Sequence, residues 1–499
     1  MPIFGASRGR RPAVDRARKT AIARTAEASY PCTAPFDPSE PVPEYPWEGC
    51  LQIPPNHAYS AVRNALSALG MDAGRYGTPS WNPLGDVVRS GDVVLVKPNL
   101  VCEAREGDHD QWEQIVTSAS VVRAVLDYVL IALGGRGRIV VADSPQTDSD
   151  FDLTVERTGL RETVRELRRR SGVPVELIDL RTERWIVQGG VCSGSEKLPG
   201  DPEGVSRIDL GGRSHFAGSP GTSPFYGASY DSDTTNINHS EGRHVYEICG
   251  TALAADVIIN IPKLKTHKKS GMTGCLKGMV GLAGDKNLLP HYRFGSPSTG
   301  GDQYPDGRRG GCLENAVVRG AKRFMLGGGP AARAVVRMLR PLGYGLFGST
   351  REVVRSGNWC GNDTIWRMVL DLAAIITYCD RDGTILDRPA RRFFNVADGI
   401  VGGEGNGPLD ADPVSSGMIV AGESPLVVDA VSAAAMGMNP LSLRLIRGGF
   451  DSRWNFAPCP PEEVLTVVEP GGGVTGLSSV PTVFRFERHF GWREGFGGG

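Results

Sequence analysis

Two hydrophobic periods alternate along this chain. Short runs of aliphatic residues ("DVVLV" before Lys97, "RIVVA" before Asp143, "VELIDL", and "VIINI" before Pro262) are bounded by Gly, Pro or Asp and predict buried strands. Helical patterns separate them. In "SASVVRAVLDYVLIAL", Val121, Val122, Val125, Leu126, Val129 and Leu133 share one helical face, and Gly134-Gly135 ends the segment. A charged helix is expected from about Val155 to Arg170, and an amphipathic one in "NDTIWRMVLDLAAIITYC". "RRFFNVADGIVGGEGNGP" reads as a strand followed by a loop, and "GMIVAGESPLVVDAVSAAAMGMNP" as a strand followed by a helix. This order predicts an α/β protein of two lobes, with mostly parallel sheets, helices on both faces and irregular insertions.

The same pattern divides the chain. Residues 1–46 read as a mobile, basic and Pro-rich tail, 47–190 as a first α/β lobe, and 191–248 as an irregular insertion where periodicity dissolves into Gly, Ser, Asp, Asn and Thr. Residues 249–315 carry a strand and a Lys/Gly-rich segment, 316–358 a basic apolar insertion, 359–447 a second lobe, and 448–499 a closing segment. Within the basic insertion, Arg319, Lys322, Arg323, Arg333, Arg337 and Arg340 have no acid among them.

Charge sharpens this picture. With 55 basic and 56 acidic residues the balance excludes a general nucleic-acid or membrane-surface binder, so any attraction for anions must be local. It is local between Ile259 and Arg293, where six lysines and one arginine meet a single acid, Asp285. The ten cysteines include no C-x-x-C pair, so no zinc ribbon or intrinsic iron-sulfur cluster is expected, and a reducing cytoplasm suits them. The N-terminus has a twin arginine without the apolar run of an export signal, and no apolar stretch approaches the roughly 18 residues of a membrane span.

Candidate chemistry falls at the strand ends. Lys97-Pro98-Asn99, Asp143-Ser144-Pro145, Pro262-Lys263, Asp398-Gly399 and Glu423-Ser424-Pro425 each place polar groups beside a strand breaker. In parallel sheets such ends converge on a ligand crest; the alternative is that these residues cap the following helices, as Glu423 and Ser424 do most plainly. Lys263, Lys265 and His267 alternate and share one side of extended backbone. Lys97, Asn99, Lys263, Thr273, Lys277, Glu404 and Asn406 are the expected binding residues, and Lys265, His267, Asp143 and Asp398 the expected catalytic ones. His267 suits proton transfer or a structural role, with His291 as a further candidate. Asp148, Asp150 and Asp152 fit loop caps or a hard cation. His239, Glu241 and His244 lack the H-E-x-x-H spacing and suggest a surface loop.

"VLVKPNLV", "IINIPKLKTH", "TGCLKGMVGL", "GNDTIWRMVLDL", "DGIVGGEGNGP" and "VVDAVSAAAMGMNP" together resemble the domain of unknown function 362 family. Many of its members carry a ferredoxin-like module, whose clustered cysteines this chain lacks. More remotely, "IINIPKLKTH" with "GCLKGMVGLAGDK" is similar to the lactate-racemase-like family, which implies an anionic nickel-pincer nucleotide and 2-hydroxy acid substrates. The expectation is an enzyme acting on a small carboxylate- or phosphate-bearing substrate in an interlobe cleft, by Lys/His-assisted acid-base or redox chemistry. A divalent metal or an anionic nucleotide-type cofactor stays open. So do a non-catalytic binding or assembly role, reliance on a separate iron-sulfur redox partner, and a homo-oligomer.

Overall fold

A computed structural model describes residues 16–47, 51–53, 55–188, 191–228, 231–308, 351–469 and 472–493, with scattered positions between 311 and 349. Much of the basic insertion expected over 316–358, including Arg319, Lys322, Arg323, Arg333 and Arg340, lies outside the described residues.

Twelve strands build one sheet. In chain order they are β1 (Lys19–Arg24), β2 (Val93–Pro98), β3 (Arg138–Asp143), β4 (Val175–Asp179), β5 (Val257–Ile261), β6 (Lys263–His267), β7 (Gly271–Thr273), β8 (Arg392–Asn406), β9 (Asp410–Val414), β10 (Met418–Gly422), β11 (Leu465–Val468) and β12 (Val474–Gly476). The spatial order is β12-β11-β1-β10-β8-β5-β2-β3-β4, with β6 and β9 pairing along the far part of β8 and β7 pairing with β6. From β8 to β4 neighbouring strands run parallel, whereas β10 is antiparallel to both β1 and β8. The segments read as two lobes, 47–190 and 359–447, thus contribute to one continuous sheet.

The central strands are apolar on both sides because both faces are covered. Val94, Val96, Ile139, Val141, Val257 and Ile259 pack under helices α1 (His57–Ala68), α2 (Ala119–Leu133) and α3 (Leu160–Ser171). Leu95, Val140, Ile258, Ala397 and Val420 face α4 (Ile365–Tyr378) and α5 (Pro425–Ala435). Ser118 caps α2 and Ser424 caps α5, as the capping reading of Ser424 expects. Among the described residues no helix is long and apolar enough to cross a membrane.

Several sequence expectations are corrected. Residues 16–46 are not a mobile tail: β1 lies between β10 and β11, with Ala21, Ile22 and Ala23 wholly buried. The expected helix over 155–170 is two, Phe151–Arg157 and Leu160–Ser171, because Gly159 adopts a left-handed φ of 72°. The described residues of the 191–248 insertion form regular elements: Val191–Lys197 pairs with Glu183–Gln188 just before it, Val205–Asp209 with Val245–Cys249, and Phe225–Gly227 with Pro290–Arg293. These strands are too short to show a period. Asp150 caps the helix that follows it, consistent with the cap reading of the 148–152 acids. His239 and His244 are buried with adjoining rings rather than exposed on a loop, and His239 Nε2 lies 2.9 Å from the Leu288 carbonyl. Finally, "DGIVGGEGN" is not a loop: it continues β8, which pairs with β6 and β9 there.

Candidate functional site

A cavity of about 230 Å³ opens at the carboxyl ends of β2, β3 and β5. It gathers Lys97, Asn99, Asp143, Lys263, Lys265, His267, Thr273 and Lys277, all expected at the site, together with the further candidate His291, and adds Lys286. The parallel register explains the meeting, since Lys97 stands opposite Asn260, three residues before Lys263.

The five lysines fall into two kinds. Lys97 and Lys263 are neutralised: Lys97 Nζ lies 2.9 Å from Asp143 Oδ1 and donates to the Pro98 carbonyl, while Asp143 Oδ2 accepts from the Leu100 N–H at 2.7 Å. The backbone of Gly281 crosses this pair so closely that a Cβ there would stand 2.1 Å from Asp143 Oδ1. That approach accounts for one glycine of the Lys/Gly-rich segment. Lys263 Nζ donates to Tyr30 Oη (2.7 Å), Asp398 Oδ2 (2.7 Å) and the Val401 carbonyl (3.3 Å), which uses its three protons.

Lys265, Lys277 and Lys286 have no carboxylate partner among the described residues. Lys265 Nζ donates to the carbonyls of Ile115 (2.7 Å) and Pro408 (3.1 Å), and Lys286 Nζ to that of Ser144 (2.9 Å). The Lys277 ammonium makes no hydrogen bond or ion pair among the described residues. Burial pushes Lys265 down to about 7, with Lys263, Lys277 and Lys97 adding to the effect and Cys102 opposing it. Burial likewise brings Lys277 and Lys286 to about 8; Lys97 acts with it on both, and Asp143 opposes it at Lys286.

The two histidines present opposite faces. His267 Nδ1 accepts backbone N–H bonds from Lys269 (3.0 Å) and Ser270 (3.1 Å), so its ring proton sits on Nε2. His291 Nδ1 lies 2.9 Å from the Leu289 carbonyl, which requires the proton on Nδ1 and leaves the lone pair on Nε2. Burial, then the nearby lysines, hold both rings well below the usual histidine range, so both are neutral near pH 7.

Other expected residues stand elsewhere. Asp398 does not line the cavity: it is a fully buried acceptor for Tyr30 Oη, the Ser118 N–H and Lys263, because β8 runs on past it instead of ending. Glu404 and Asn406 sit on β8 opposite Asp412 and Asp410, away from the cavity, and Glu404 Oε2 accepts from the Glu487 N–H at 2.7 Å. Asn99 and Thr273 do line it, but Asn99 Nδ2 is committed to the Ile115 carbonyl and Thr273 Oγ1 to that of Lys263. Lys286 belongs to the same basic segment as Lys277, and that shared segment was the available signal for it. No group of three or more His, Cys, Asp and Glu side chains among the described residues is placed to hold a metal.

Fold and site together define an α/β protein whose parallel strands end in a lysine-lined cavity with two histidines. The chain belongs to the family described as Domain of unknown function (DUF362), whose model matches residues 94–195 and 219–434, more than half of its length. No curated protein matches it.

Proposed function

We propose that this protein is an enzyme that binds a small carboxylate- or phosphate-bearing substrate in the lysine-lined cavity and moves a proton on it. One observation carries the reading: three lysines with no carboxylate partner among the described residues share a 230 Å³ hollow with two neutral histidines of opposite tautomer. Crowded, desolvated ammonium groups lack a counter-charge that an anion supplies. Lys265, Lys277 and Lys286 hold the anionic group, His291 Nε2 receives a proton, and His267 Nε2–H donates to the charge that develops. The singly placed cysteines support work in the cytoplasm.

Binding is expected to depend on pH with a definite sign. Below about 7 the three lysines are charged and the anion is held; as pH rises through about 7 to 8 they lose protons and affinity falls. Calorimetric titration with pyrophosphate or malonate at pH 6.5 and 9 should show at least a tenfold loss at the higher pH, and proton uptake between them. Lys277→Ala should weaken binding about tenfold, roughly 1.4 kcal/mol, without lowering the thermal midpoint, since Lys277 holds no other group. Equal affinity at both pH values and in the variant would overturn the anion site. The proton-transfer step is read by NMR as deuterium wash-in at the α-carbon of 2-hydroxy carboxylates in D₂O, lost in His291→Gln. Tight binding without exchange would favour a carrier role.

A further inference from the structure

A second constellation stands apart from the lysine cavity. Asp371 on α4 is wholly buried, and its carboxylate accepts from the backbone N–H of His215 (2.7 Å), from Tyr246 Oη (2.9 Å) and from Ser214 Oγ. His215 Nδ1 lies 2.7 Å from Asp371 Oδ1, and its Nε2 lies 2.8 Å from Ser452 Oγ. A carboxylate only accepts, so the imidazole proton is on Nδ1 and Nε2 presents its lone pair to the Ser452 hydroxyl. The ring is further fixed by Phe456, stacked with centroids 6.2 Å apart. A hydroxyl aimed at an imidazole whose tautomer is set by a buried carboxylate is the arrangement that activates a serine nucleophile.

Such a chain of bonds can also simply anchor a loop, and Trp454 N–H does donate to Ser452 Oγ at 3.1 Å. Position argues for more than anchoring. His215 and Ser452 both line an open pocket of about 400 Å³, together with Arg367, Arg444, Arg447 and Arg453. Arg367 and Arg444 are bound to Asp363, whereas the exposed Arg447 side chain has no hydrogen-bond or ion-pair partner among the described residues. Four arginines against Asp363 and Asp451 leave the pocket cationic.

We propose that Ser452, His215 and Asp371 form a hydrolytic site for esters whose acyl part carries an anionic group. Ser452 Oγ attacks the carbonyl carbon and its proton passes to His215 Nε2. The bond to the leaving oxygen then breaks, and the released alcohol takes that proton. Water adds to the acyl-serine, gives its proton to Nε2, and the Oγ–acyl bond breaks to release the acid and restore the hydroxyl. The arginines lining the pocket attract the substrate's anionic group.

The test uses the full chain with a fluorophosphonate probe and with two esters, p-nitrophenyl hemisuccinate and neutral p-nitrophenyl acetate. Mass spectrometry is expected to place the phosphonyl adduct on Ser452. Ser452→Ala and His215→Gln should each lower hemisuccinate hydrolysis at least a hundredfold, while unchanged circular dichroism and thermal midpoint report intact folding. Arg447→Ala should raise KM for the hemisuccinate about tenfold, well beyond any change for the acetate. Absence of an adduct on Ser452, or hydrolysis by Ser452→Ala equal to that of the unaltered chain, would overturn the proposal and leave the network as a loop anchor.

Discussion

Replacing Lys263 with alanine is expected to destabilise the fold by about 3–5 kcal/mol, because it strands a charge in the interior. Lys263 and Asp398 are both fully buried and 2.7 Å apart, and Tyr30 bridges them by donating to the carboxylate while accepting from the ammonium. Removing the lysine leaves Asp398, among the described residues, with only Tyr30 Oη and the N–H groups of Ser118 and Ile400. Removing both charges together, in Lys263→Met with Asp398→Leu, should recover a large part of the loss, since well-packed apolar groups often match a buried ion pair in stability. Urea unfolding monitored by circular dichroism measures both. A loss below about 1 kcal/mol in the single variant would mean that solvent reaches the pair. The expected outcome separates these two residues from the proposed substrate-handling groups: Lys263 contributes architecture at the cavity wall, and the proposed chemistry rests on Lys265, Lys277, Lys286 and the histidines.

Gly281→Ala is the second large effect. Its Cβ would stand 2.1 Å from Asp143 Oδ1 and 2.7 Å from Lys97 Nζ, and the backbone cannot retreat, since the Gly281 carbonyl accepts from the Ser144 N–H at 2.7 Å. The ion pair has to separate and its groups must turn into the cavity. Pyrophosphate affinity should fall more than tenfold, and overpacking should cost about 1–3 kcal/mol. Gly212→Ala is the matched control, because a Cβ there meets nothing within 4 Å. Similar affinities for the two variants would show that the Lys97–Asp143 pair does not shape the ligand site.

The parts of this molecule that were legible in the sequence are those whose surroundings are uniform. β2, β3 and β5 are covered on both faces and so read as unbroken apolar runs, and α2 and α4 are long enough for a helical period to stand out. Strand-end reasoning reached Lys97, Asp143, Lys263, Lys265 and His267 at one cavity because parallel strands deliver their carboxyl ends to one edge. The rest depended on partners distant in the chain. Asp398 reads as a strand-end carboxylate until Tyr30 is found beside it. β8 looks like a loop because its glycines carry no side chains to alternate, although strands pair with it there. The histidine tautomers are set by backbone groups whose positions no spacing rule gives.

The placement of β1 bears on how the protein is made. Ile22 pairs with Val420 on one side and Val468 on the other, so β1 is synthesised long before the two strands that flank it. Throughout that interval an apolar segment travels without its neighbours, exposed to association with other nascent chains. Intolerance of premature termination before residue 418 is the expected consequence of these long-range pairings.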